Sequence, residues 1–138
     1  MFAAFPLLAL PVLLYNLVLL TFPGGLKASD AAAQLAAPMF SVPMPSAGAW
    51  PISLGDLFIA GALVVLFIEL LKSTNSRNVA IINHSLSMLL FVACLVEFLL
   101  LRGFSTSVFF LMTLMVLLDV LAGFVVTIVS ARRDVEID

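Results

Sequence analysis

The acids buried in apolar runs are where this sequence could do chemistry. Asp119 stands in "LLDVLAGFVV", eleven residues after Val108 and ten before Val129. At that depth insertion scales charge about 2.5–3.5 kcal/mol for an aspartate. A bare carboxylate does not persist there. Asp119 is expected either to be protonated and donating a hydrogen bond, or to be answered by another polar group. Every Lys and Arg of the chain lies at or beyond the edge of an apolar run, so no cation of its own reaches this level. An intramembrane acid of this kind bonds a neighbouring helix, carries a proton or cation, or touches a ligand.

Its surroundings point the same way. Asp119, Gly123 and Thr127 recur every four residues with Ala122 beside them, a small-residue surface that lets a second helix approach closely. Ser87 and Cys94 are level with Asp119 on the preceding apolar run. Asn83, Ser87, Cys94 and Glu97 fall on one side of that run and form a polar stripe expected to face protein. Glu97 lies about one turn from Arg102, with Tyr15 and Asn16 at comparable depth. Glu69 precedes Lys72 by three residues, a pairing distance on a helix, and Asn83 and His84 belong at the same level. These four form a local polar cluster that fixes a helical hairpin, or a proton relay from Glu69 to His84.

Composition restricts the rest. Of 138 residues, 64% are hydrophobic and 10% charged, with net charge −2 and six basic residues. Soluble domains carry about 25% charge, so the fitting solvent is lipid. No basic stretch tracks a nucleic-acid backbone. One His and one Cys give no zinc signature, and "PGGL" lacks the spacing and the lysine of a phosphate loop. No metal or cofactor is expected, and no catalytic constellation stands out.

The elements that must position these acids are four apolar runs of roughly the 20 residues a bilayer requires. They cover residues 2–22, 52–71, 79–101 and 108–129. Lipid leaves backbone groups no partner but their own helix. The expected fold is an all-α integral membrane four-helix bundle, one domain, in an antiparallel hairpin series. "SLGD" resembles a capping box opening the second span, with Asp56 as the capping acid. "STNSRN" and "RGFSTS" are tight turns, with Ser76, Ser105 and Thr106 as candidate caps and Gly103 as a helix end. Pro6 belongs to a first turn, whereas Pro11 is interior and predicts a kink. An outer, Pro/Ala-rich loop, 23–51, separates spans one and two. In it "DAAAQLAA" suits two helical turns capped by Ser29 or Asp30. "MFSVPMP" reads as extended, lying on the membrane surface or across the helix tops, with Trp50 at headgroup level. Residues 130–138 form a tail. Lys72, Arg77, Arg132 and Arg133 face Lys27 and Arg102 across the bundle, which favours both termini in the cytoplasm. Span one lacks the basic start of a cleaved signal and is expected to remain.

"VPMPSAGAWPISLGDLF" and "STSVFFLMTLMVLLDVLAGFVVTIVSARRD" resemble small uncharacterised four-span inner-membrane proteins of proteobacteria. The resemblance implies a bacterial inner membrane and four spans, and no activity. Small multidrug-resistance transporters are also short four-span chains, but they keep their working glutamate in the first span, where this chain has no acid. The leading expectation is a non-enzymatic accessory or scaffold subunit of a larger membrane assembly, or a homo-oligomer. The face of Asp119, Gly123 and Thr127 would make the contact, or pack spans three and four so that another face does. The alternative is a proton- or cation-coupled transporter or channel using Asp119 and Glu97.

Overall fold

The computed structural model describes residues 4–72 and 77–137, with backbone alone for Arg77, Asp134 and Ile137. The elements run α1 (Ala9–Thr21), α2 (Ala31–Ala36), β1 (Pro38–Pro43), β2 (Ala49–Ser53), α3 (Leu54–Lys72), α4 (Arg77–Leu100) and α5 (Ser107–Ile137). Short 3-10 turns fall at Gly25–Lys27 and Arg102–Phe104. The protein is therefore mostly helical, with three long apolar helices, a shorter one and a small hairpin. The expectation of an all-α chain is corrected by β1 and β2. Met44 N–H donates to Gly48 O (2.9 Å) and Ala47 takes a left-handed φ of 67°, which closes a turn between two apolar, proline-bearing strands.

The helix starts follow local chemistry. Ser53 and Asp56 form the reciprocal capping box. Asp56 N–H donates to Ser53 Oγ (3.2 Å) and Ser53 N–H donates to Asp56 Oδ2 (3.0 Å). At α5, Thr106 is the cap, its Oγ1 accepting from Phe109 N–H at 3.2 Å. The turn at Ser73–Ser76 and the expected cap at Ser76 lie outside the described residues. α5 continues through the expected tail to Ile137, and its 31 residues span about 46 Å.

The first apolar run differs from its expected bounds. α1 has 13 residues, about 20 Å. It begins at Ala9, so Pro11 falls in its first turn, where no intrahelical bond is lost and no kink is needed. Before it, Pro6 O accepts from Ala9 N–H and Leu7 O from Leu10 N–H, both at 3.0 Å. The N-terminal run still lies alongside α3. Phe5 is bound at the Lys72 end, and Tyr15 is bound to Gly103 toward the other.

Packing departs from a simple hairpin series. α5 is the central helix. α3 and α4, neighbours in sequence, each pack mainly on α5, and α1 lies along α3. α4 is consequently an edge helix. Of its described residues only Ser87 and Cys94 are buried.

The core centres on Tyr15, which is 0% exposed. Its ring meets Phe58, Phe104 and Phe109 at centroid distances of 5.4, 5.3 and 4.9 Å. Its hydroxyl lies 2.7 Å from Thr106 Oγ1 and donates to Gly103 O at 3.0 Å. The capping threonine, the only tyrosine and the turn after α4 thus share one bonded chain. Gly103 also lets two loops close. A Cβ there would stand 2.7 Å from Leu26 O and 3.0 Å from Leu19 Cδ1. Gly103→Ala is expected to lower stability by about 1–3 kcal/mol through overpacking. Cys94, fully buried and the sole cysteine, reports it. Its thiol should become reactive to a maleimide at lower temperature in the variant.

Candidate functional site

Two polar groups of side chains hold α5, α4 and α3 together. The first is organised by Glu69, 1% exposed on the last turns of α3. Glu69 Oε2 accepts from the backbone N–H of Leu7 (2.9 Å) and from Lys72 Nζ (3.4 Å). Its Oε1 accepts from Asn83 Nδ2 at 2.8 Å. Lys72 also donates to Phe5 O (2.7 Å), and Asn83 to Ala4 O (3.4 Å). The carboxylate therefore ties α3 to α4 and satisfies Leu7 N–H, while Lys72 and Asn83 satisfy the carbonyls of Phe5 and Ala4, so the segment before α1 has partners without being helical. The expected cluster of Glu69, Lys72 and Asn83 forms. His84 does not join it.

The second group lies deeper. Ser87 Oγ, 1% exposed, donates to Asp119 Oδ2 at 2.9 Å. Asp119 is 7% exposed and faces its own chain. Hydrogen bonds between membrane helices are worth about 0.6 kcal/mol on average and up to about 2. The pair therefore fixes orientation more than it adds stability.

His84 turns toward α5. Its ring packs edge-on against Phe124 at 4.6 Å. It fits because residue 123 is glycine: a Cβ there would collide with the imidazole, whose Cε1 would be 3.0 Å away. Both ring nitrogens of His84 are buried and have no hydrogen-bond partner among the described residues. A buried imidazole left this way is uncommon and asks for a polar guest.

A cavity of about 20 Å³ adjoins it. Roughly 10–15 Å³ is enough for one water. The cavity is lined by the polar residues Asp119, Ser87, His84, Asn83, Lys72 and Thr127, together with Gly123 and the apolar Val79, Ala80 and Val126. On the other side of Asp119 the core is apolar, with Met112, Met115, Val116 and Cys94 buried in one cluster.

The remaining expected residues sit apart. Glu97 is half-buried, with the Asn16 side chain as its polar neighbour. Asn16 Nδ2 also donates back to Val12 O at 2.9 Å. Arg102 is exposed and makes no ion pair with Glu97. Tyr15, expected near Glu97, is committed to Thr106 and Gly103 instead. Thr127 is exposed and its hydroxyl bonds Gly123 O (2.8 Å) on its own helix, and Ala122 is half-buried. Among the described residues no three His, Cys, Asp or Glu side chains group as metal ligands. Two features carried no usable sequence signal. Glu69 and Leu7 are 62 residues apart, and nothing local marks the pairing. The partner of Tyr15 was findable only as a type, since a buried tyrosine hydroxyl needs one.

Leu54–Lys72, Asn78–Leu100 and Ser107–Arg133 are each long and apolar enough to cross a bilayer. By that measure the chain is a multi-pass membrane protein. Comparison with protein-family models, with curated proteins and with solved structures returns no match.

Proposed function

We propose that this is a small proton-handling protein of the bacterial inner membrane, with Asp119 as the group that takes up and releases the proton. The observation that carries this reading is His84. Its ring nitrogens are buried without a hydrogen-bond partner among the described residues, and the residue lines a one-water cavity that Asp119 and Ser87 also line. A water held there would have the Asp119 carboxyl, the Ser87 hydroxyl and the His84 ring among its neighbours. An imidazole carries two ring nitrogens, so it can take a proton at one and release one at the other. The lining past His84 leads to the Lys72 end. Lys72, Arg77, Arg132 and Arg133 put that end in the cytoplasm by the positive-inside rule. The apolar cluster on the far side of Asp119 makes access one-sided in this conformation. A complete crossing needs a second conformation or another subunit. Glu97 stands beyond that cluster, and nothing in its placement joins it to the path.

In this reading the first apolar run is a fourth span, completed by the non-helical turn at residues 4–8. The chain acts without enzymatic chemistry, a cofactor or a metal.

The test is proton flux into proteoliposomes driven by an imposed potential. Asp119→Asn keeps a partner for Ser87, so folding should persist while flux falls to the protein-free level. Undiminished flux in Asp119→Asn rejects the carboxyl as carrier.

A second reading, an accessory subunit or homo-oligomer, is favoured by α4. This edge helix buries only two of its described side chains and exposes Leu89, Leu99 and Leu100 at 67%, 67% and 76%. Asp119 and Ser87 then pack α4 onto α5, and the outer face of α4 meets the neighbour. Glycine or polar residues placed at Leu89 and Val92 should change the mass of the purified particle if that face is an interface.

A further inference from the structure

We propose that the β1–β2 hairpin is an interfacial anchor that lays Phe40, Val42, Trp50 and Ile52 into the headgroup–acyl boundary at the end of the bundle opposite Lys72. The pairing register sets Phe40 against Ile52 and Val42 against Trp50. Side chains alternate along a strand, so these four share one face. That face is wholly apolar, while Ser41, Pro43, Ala49, Pro51 and Ser53 occupy the other and Met39 stands at the register irregularity between Pro38 and Phe40.

The bundle covers the hairpin only in part, leaving Val42 and Ile52 half-buried. Met39, Phe40, Met44 and Trp50 are 59%, 50%, 42% and 53% exposed. The covering of the helix ends falls to α2 instead, whose Ala31 and Leu35 are each 1% exposed and which packs on α3, on α5 and on the turn at Arg102–Phe104. A free two-stranded hairpin is at best marginal in water, and an exposed apolar edge invites aggregation.

Three observations choose lipid as the occupant. From Ala31 to Gly55 there is no charged residue, a run that neither a water-facing loop nor a charge-matched protein contact calls for. β2 passes directly into α3 at Leu54, a helix long and apolar enough to cross a bilayer, on which Leu57 and Leu63 are exposed. The protein's only tryptophan sits on that face, and tryptophan concentrates at the membrane–water boundary. Prolines at 38, 43 and 51 remove backbone donors from the hairpin. The donors and acceptors that remain on its outer edges keep it at headgroup depth, where water still reaches, and out of the hydrocarbon centre.

Trp50 makes the test direct, because it is the sole source of tryptophan emission. The full chain is reconstituted in phosphatidylcholine vesicles containing lipids brominated at shallow or deep acyl positions. The expected result is loss of most Trp50 emission with shallow bromines, a smaller loss with deep ones, and little quenching by aqueous acrylamide. Phe40→Ser with Val42→Ser should restore acrylamide quenching and weaken bromine quenching, with Cys94 still protected from maleimide as the check on folding. Strong acrylamide quenching without bromine quenching in the unaltered protein would overturn the proposal in favour of a water-facing hairpin. Emission insensitive to bromines but dependent on the protein-to-lipid ratio would overturn it in favour of a second copy.

Discussion

Replacing Glu69 by leucine will loosen the bundle more than any other single polar substitution. The carboxylate receives donors from α3, α4 and the segment before α1. Leucine removes all of these acceptors at once. Lys72, at 13% side-chain exposure, can move its ammonium toward the interface. Leu7 N–H cannot move as far, and a stranded buried donor costs about 1–3 kcal/mol, while Asn83 loses its shorter bond and keeps the one to Ala4 O. The sum exceeds the average of about 0.6 kcal/mol measured for single membrane hydrogen bonds, because one acid serves several partners. In Glu69→Leu the Cys94 thiol should become reactive well below its unaltered temperature. Glu69→Gln should fall between the two, since its amide keeps one acceptor but sets a donor against a donor. A Glu69→Leu protein as resistant as the original would show that these bonds do not organise the N-terminal segment.

Gly123→Val is expected to destabilise the protein and to stop proton movement together. The added side chain occupies the space of the His84 ring, whose near atoms a Cβ already overlaps. Overpacking of this sort costs about 1–3 kcal/mol. The imidazole must leave its place beside Phe124 or α4 must move off α5, and the cavity beside Asp119 changes with it. The double variant Gly123→Val/His84→Ala separates the effects. Removing the ring relieves the collision, so stability should return by more than the sum of the single changes, as expected for residues in contact. Flux should not return, because the imidazole is gone. Recovery of flux in the double variant would show that His84 only fills space.

How much of this was legible in the sequence differs from residue to residue. Asp119 was legible as level with Ser87 and Cys94 from depth alone, and packing chose Ser87, which donates to it at 2.9 Å. Ser53 and Asp56 were legible because a capping box is local. Glu69 beside Lys72 was legible for the same reason, but its bond to Leu7 N–H was not, since it depends on how α1 packs along α3. The late start of α1 followed from that hidden partner together with Pro11, which composition alone made look like a mid-helix kink. The hairpin was half visible. "MFSVP" read as extended, while its pairing with "AWPIS" across "MPSAG" went unread among the prolines. His84 was placed at the right depth and on the wrong neighbour, because only the glycine at 123 decides which way the ring turns.

The central claim is that Asp119 exchanges its proton with one side of the membrane, through the cavity at His84. Infrared difference spectroscopy on oriented proteoliposomes tests it most directly. It predicts a carboxyl C=O band, missing in Asp119→Asn, that changes when pH is stepped on the Lys72 side and stays constant when pH is stepped on the other. A band indifferent to pH on both sides, or one that answers equally to each, would contradict it.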